Sequence, residues 1–108
     1  MQGEALKGHL ELLLLATLAE APAHGYAIIE ALHTRSGGRF SLPEGTVYPA
    51  LHRLERLGLL ESHWSAGSVR PRRLYTLSAA GRAALAQRKD AWQAFVAGVS
   101  GIVGEPHA

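Results

Sequence analysis

SLPEGTVYPALHRLERLG, residues 41–58, has the pattern of one capped amphipathic helix. Ser41 and Glu44 have the Ser-x-x-Glu spacing of a capping box, and Pro43 sits where a missing N–H costs a helix little. Val47, Leu51, Leu54 and Leu57 follow at helical spacing as one apolar stripe, leaving Tyr48, His52, Arg53 and Arg56 on other faces. Gly58 ends the pattern. The spacing predicts a helix from about 41 to 57. Pro49, whose ring opposes the carbonyl of Gly45, predicts a kink or a late start.

Beyond Gly58, residues 59–65 and 72–77 read as two short strands rich in apolar and aromatic residues, joined across 66–71 as a hairpin with a basic return. Tyr75, between Leu74 and Leu77, reads as a core or wing-base residue. Ser78 is the expected N-cap of a last helix reaching about residue 102 through Gly81 and Gly98. Towards the N-terminus, residues 7–20 form an expected helix whose leucines at 10, 12, 13, 14, 15 and 18 occupy most of its circumference, so burial on more than one face is expected. Residues 21–23 break the pattern. Residues 25–34 resume it, with Tyr26, Ile29 and Leu32 or His33 along one face, before the glycine-containing segment 35–39.

The fold class expected is therefore mainly α with a small β-hairpin: a winged helix-turn-helix over 1–77, a C-terminal dimerisation helix over 78–103, and a disordered tail over 104–108. In such a fold the third helix enters the major groove and the wing grips the backbone.

Composition narrows the function. With 108 residues, 47% of them hydrophobic, the chain can bury one modest core. It has no cysteine, which excludes disulfides and thiolate metal sites. No secretory signal opens the chain, and the apolar run 10–18, interrupted by Glu11, is shorter than the roughly 20 residues of a membrane span, so a cytoplasmic protein is expected. No two of the six histidines have the three- or four-residue spacing of a helical metal pair, and no metal or cofactor is expected. Neither a nucleophile motif, a phosphate-binding glycine loop nor a pair of neighbouring carboxylates is present, so an enzyme is not expected.

Net charge is only +2, but residues 62–89 carry Arg70, Arg72, Arg73, Arg82, Arg88 and Lys89 with no acidic residue. The densest part falls on the expected wing, while the expected groove helix presents Thr46, Tyr48, His52 and Arg53. That coincidence points to double-stranded DNA. The candidate DNA contacts are Tyr26, Thr46, Tyr48, Pro49, His52, Arg53, Arg70, Arg72 and Arg73. Tyr48 either packs beneath its helix or offers its hydroxyl to a phosphate, and Tyr26 is similar. A winged helix that binds another protein in place of DNA is the alternative function.

Four stretches carry a family resemblance: LKGHL (6–10), HGY (24–26), EGTVYPALHRL (44–54), and RPRRLY (70–75) with SAAG (78–81). In this order they resemble the PadR family of bacterial regulators, and GTxYPxL followed by RPRxxY is the most specific part. The resemblance implies a homodimeric repressor, often of its own operon or of an efflux or detoxification gene, released by a small-molecule or stress signal. The chain is similar to the short subfamily with one C-terminal helix. Ser78 stands where threonine is more frequent, which keeps the capping hydroxyl.

In the last helix Leu85, Trp92 and Val99 are seven apart, Phe95 and Ile102 fall at the intermediate heptad positions, and Val96 and Val103 widen the stripe. Left in water, this stripe would be a large apolar patch, so it is the expected homodimer interface, on which two copies would read a palindromic operator. Packing on the first helix alone is the alternative. Trp92, paired with Leu12 as a candidate effector-binding residue, resembles the tryptophan that lines a two-fold-axis pocket in some drug-sensing relatives. A small aromatic effector is the ligand that this implies; interface filler is the other reading of Trp92.

Overall fold

The structure, a computed structural model, describes residue 6, residues 8–66 and residues 70–105. Lys7, the middle of the hairpin return (67–69) and the last part of the expected tail (106–108) lie outside the described residues. The order is α1 (Leu10–Glu20), β1 (Ala23–His24), α2 (Gly25–Arg35), α3 (Glu44–Arg56), β2 (Leu60–Trp64), β3 (Arg73–Leu77) and α4 (Ala79–Val103). This is the winged-helix order with one added strand. β1 pairs antiparallel with β3, Ala23 opposite Tyr75 and His24 opposite Leu74, so the sheet runs β1-β3-β2. Two residues are too short to show an alternating pattern, which is why the sequence did not announce β1.

The core lies between the three N-terminal helices and the sheet. Leu14, Leu15 and Leu18 of α1 meet Ile28 and Leu32 of α2, Val47, Leu51 and Leu54 of α3, and Leu60, Tyr75 and Leu77 of the sheet. No residue of α1 before its last is exposed, as the spread of its leucines predicted. Thr17, buried on the same helix, is satisfied because its hydroxyl donates to the Leu13 carbonyl at 2.8 Å.

Four local expectations change. On α2 the inward stripe is Gly25, Ile28 and Leu32, and Tyr26 faces out. The capping box at Ser41 does not form: Pro43 is the N-cap, its carbonyl accepting from the N–H groups of Thr46 and Val47, and Ser41 Oγ lies 3.2 Å from His33 Nδ1 instead. Leu57 is 60% exposed because α3 ends at Arg56 and the chain turns towards Leu59 and Leu60, which pack against the core in its place. The helix neither starts late nor breaks at Pro49. The carbonyl of Gly45 that loses its partner there belongs to an exposed residue, where water can serve.

α4 begins as expected. Ser78 caps it by accepting from the Gly81 N–H at 3.0 Å, and the Ser78 hydroxyl in turn donates to the Gly58 carbonyl at 2.6 Å. The Ser78 N–H donates to the Leu59 carbonyl at 3.1 Å. Gly81 lies directly against that carbonyl, and a Cβ there would overlap the Leu59 oxygen. The start of α4 is thus fastened to the turn that ends α3. From there α4 runs away from the core, giving the chain extents of 52 × 28 × 22 Å.

Candidate nucleic-acid interface

The side of α3 opposite its buried stripe carries Gly45, Pro49, His52 and Arg56, all exposed. Thr46 and Arg53 flank this face towards α1, and Tyr48 flanks it towards α2. The Tyr48 ring is half-buried against the N-terminus of α2, where a Cβ on Gly25 would come within 2.5 Å of it. Gly25 therefore makes the seat for Tyr48. Its ring centroid lies 6.5 Å from that of His52, and Tyr26, one residue beyond the seat, is 60% exposed. Arg56, left off the apolar stripe in the sequence but not named there as a contact, shares this face with His52 through its i+4 spacing.

The arginines of the expected wing divide into two kinds. Arg70 and Arg72 are exposed on the return, with Ser65 donating to the Arg72 carbonyl from both its N–H (2.8 Å) and its hydroxyl (3.1 Å). Arg73 is engaged within the protein. Its guanidinium lies 5.0 Å over the Trp64 ring, its Nε donates to Ser62 Oγ at 3.0 Å, and it approaches Glu55 at 3.6 Å. Its carbonyl accepts from His24 Nδ1 at 3.0 Å, which fixes the β1 edge. Tyr75 lies beneath this cluster; burial raises its hydroxyl pKa above the ordinary phenol value, and the Glu55 carboxylate adds to the rise.

Arg53 is likewise engaged within the protein, with its side chain about half exposed. Its Nε donates to Glu11 Oε2 of α1 at 2.8 Å, and Arg88 of α4 approaches the other oxygen of the same carboxylate at 2.9 Å. This network lies along an open groove of about 890 Å³ bounded by α1, the first half of α3 and α4. Leu12 and Trp92, far apart in sequence, both line it, as does Phe95. His9 stands edge-on to Trp92 at 5.0 Å, and Trp92 stacks on Phe95 at 5.9 Å.

Along α4, Leu85 is half-buried and packs against the core of its own chain, and Val96 is half-buried. Trp92, Phe95, Val99, Ile102 and Val103 are exposed, the last two at 87% and 75%. The stripe is thus covered by its own chain at one end and open at the other. Among the described residues no helix is long and apolar enough to cross a membrane.

Three helices, a strand-edged hairpin and a long trailing helix define a winged-helix protein. Residues 14–87 match the profile of the Transcriptional regulator PadR-like family. The chain is 38% identical over 104 residues to the transcriptional regulator Rv3488 of Mycobacterium tuberculosis, covering 96% of this chain and 92% of that one. A PadR family transcriptional regulator from Eggerthella lenta, solved by crystallography, superposes with a TM-score of 0.81 at 33% identity over 93% of this chain and 86% of that one. A transcriptional regulator from Clostridium thermocellum shares the fold, with a TM-score of 0.86 at 22% identity over 94% of this chain and 99% of the other. The chain belongs to the PadR-like family of transcriptional regulators, whose members are regulators and not enzymes.

Proposed function

We propose that the protein is a cytoplasmic, homodimeric repressor that binds a palindromic operator and is relieved by a small aromatic effector. The observation that carries the DNA reading is the outer face of α3: Thr46, Pro49, His52 and Arg56 are exposed. Such a face offers hydrogen-bond donors to base edges and charge to phosphates. Tyr26 at the start of α2 and Tyr48 of α3, seated against that start, flank it, and Arg70 and Arg72 would extend it along the wing. Arg73 contributes by holding the wing to the sheet. Pairing through the open part of the α4 stripe at Trp92, Phe95, Val96, Val99 and Ile102 gives two such faces on one molecule, set to read half-sites roughly 34 Å apart. The groove beside Leu12 and Trp92 is the place for the effector, where an aromatic ring would stack on Trp92 and Phe95.

The test is to capture genomic fragments on the purified protein and footprint the enriched site. Protection of two inverted half-sites one helical turn apart, lost in His52→Ala, is expected. Enrichment no greater than that of random DNA would overturn the reading and leave a protein-binding winged helix in its place.

A further inference from the structure

Glu11 is the one acidic group in the network that joins α1, α3 and α4 along the groove, and it faces two arginines. The two contacts differ in kind. Arg53 Nε donates a well-formed hydrogen bond to Oε2, whereas Arg88 Nη1 reaches Oε1 as a charge contact outside hydrogen-bond geometry. That buried Nη1 has no hydrogen-bond partner among the described residues. The ion pair at 2.9 Å still compensates that nitrogen, and without a formed hydrogen bond the Arg88 contact is the weaker of the two. Arg53, in turn, lies on the flank of α3 next to the exposed face, its side chain about half exposed. It cannot reach along that face towards a phosphate or a base edge and keep its bond to Glu11.

We propose that Glu11 is a positioning residue that competes with DNA for Arg53, and that Arg88 sets how strongly it does so. With Arg88 in place, the carboxylate is shared and its hold on Arg53 is moderate. When Arg88 is drawn away by anything seated between α1 and α4, the whole carboxylate charge falls to Arg53, which is then withheld from DNA. The groove and the reading helix are thereby coupled through three side chains, without a change of fold. The coupling rests on the DNA-binding reading above and assigns a route of regulation to it.

The experiment is a set of variants measured on the operator: Glu11→Gln, Arg88→Leu and Arg53→Ala, with the first two also made in the Arg53→Ala background. Glu11→Gln should raise affinity about two- to fivefold, the range set by a partly exposed ion pair. Arg88→Leu should lower it by about as much. Both changes should vanish when Arg53 is alanine. General electrostatics from an altered net charge would persist in that background, so equal effects in both backgrounds overturn the proposal while leaving DNA binding intact. A second readout needs no DNA: hydrogen exchange of the Arg53 side-chain Nε–H, observed by NMR in the free protein, should be slow in the wild type and fast in Glu11→Gln. Fast exchange in the wild type would also overturn the proposal. A wild type that binds no DNA would defeat the reading on which it rests, and with it the competition.

Discussion

Ile102 gives the sharpest test of the α4 interface because it has almost no other role. At 87% exposure it contributes next to nothing to the core of its own chain, so Ile102→Ala should leave the folding of a protomer unchanged. The substitution removes three carbons. At about 0.8 kcal/mol per buried methylene, scaled to the surface that a partner could cover, this is about 2 kcal/mol per protomer. A two-fold interface counts the loss twice, giving about 4 kcal/mol, or about a thousandfold rise in the dimer dissociation constant. Sedimentation equilibrium across a wide range of protein concentration measures that constant, and circular dichroism under conditions where both proteins are monomeric checks the fold. Leu85→Ala is the contrasting control: its side chain packs against the core, so it should lower Tm. A dimer constant within about threefold of wild type in Ile102→Ala would refute the assignment of this stripe to the interface.

Four further outcomes are expected. Arg72→Ala should weaken binding to all DNA sequences and reduce the log–log salt slope by about one unit per protomer through lost counterion release. Arg73→Ala should instead chiefly lower Tm, since its guanidinium bonds Ser62 and covers Trp64; thermal melts and salt titrations of the two variants separate these roles. Gly81→Ala should be strongly destabilising, by about 2 kcal/mol or more, because its Cβ meets the Leu59 carbonyl; urea unfolding of the variant reads the loss directly. For Tyr75, the folded pKa is raised above the reference value of 10.0, so its contribution is fully present below pH 10.0 and is lost as pH rises through the folded pKa. The fall in Tm on passing above pH 10.0 should therefore be smaller in Tyr75→Phe than in the wild type.

Elements built on local chemistry were legible in the sequence. Ser78 caps α4 as its position suggested, the leucines of α1 are buried on several sides, and the strands of the hairpin lie within one residue of their expected bounds. What escaped was set by partners distant along the chain. Nothing near Arg53 announces Glu11, 42 residues away, and nothing near Arg73 announces Trp64 or Glu55. An arginine in a basic cluster reads as a phosphate contact until its neighbours in space are known. The same holds for Tyr26: periodicity placed it on a helical face but could not say which face was inward. Leu57 kept the apolar spacing of α3 past the point where the helix ends, and spacing alone does not register that end.

The fastening of Ser78 and Gly81 to the end of α3 has a mechanical consequence. With the start of α4 fastened to the end of α3, α4 of a dimer joined as proposed above would act as a lever arm that carries α3 at its start. A 25-residue helix is about 37 Å long. Tilting such an arm by about 5° sweeps its end through about 3 Å, close to the 3.4 Å rise of one base step. In a dimer joined along α4, a small change of crossing angle would therefore put the two reading helices out of register with their half-sites. Inserting or deleting a single base pair between the half-sites should be tolerated poorly for the same reason, because the protein has no hinge at this joint with which to follow it.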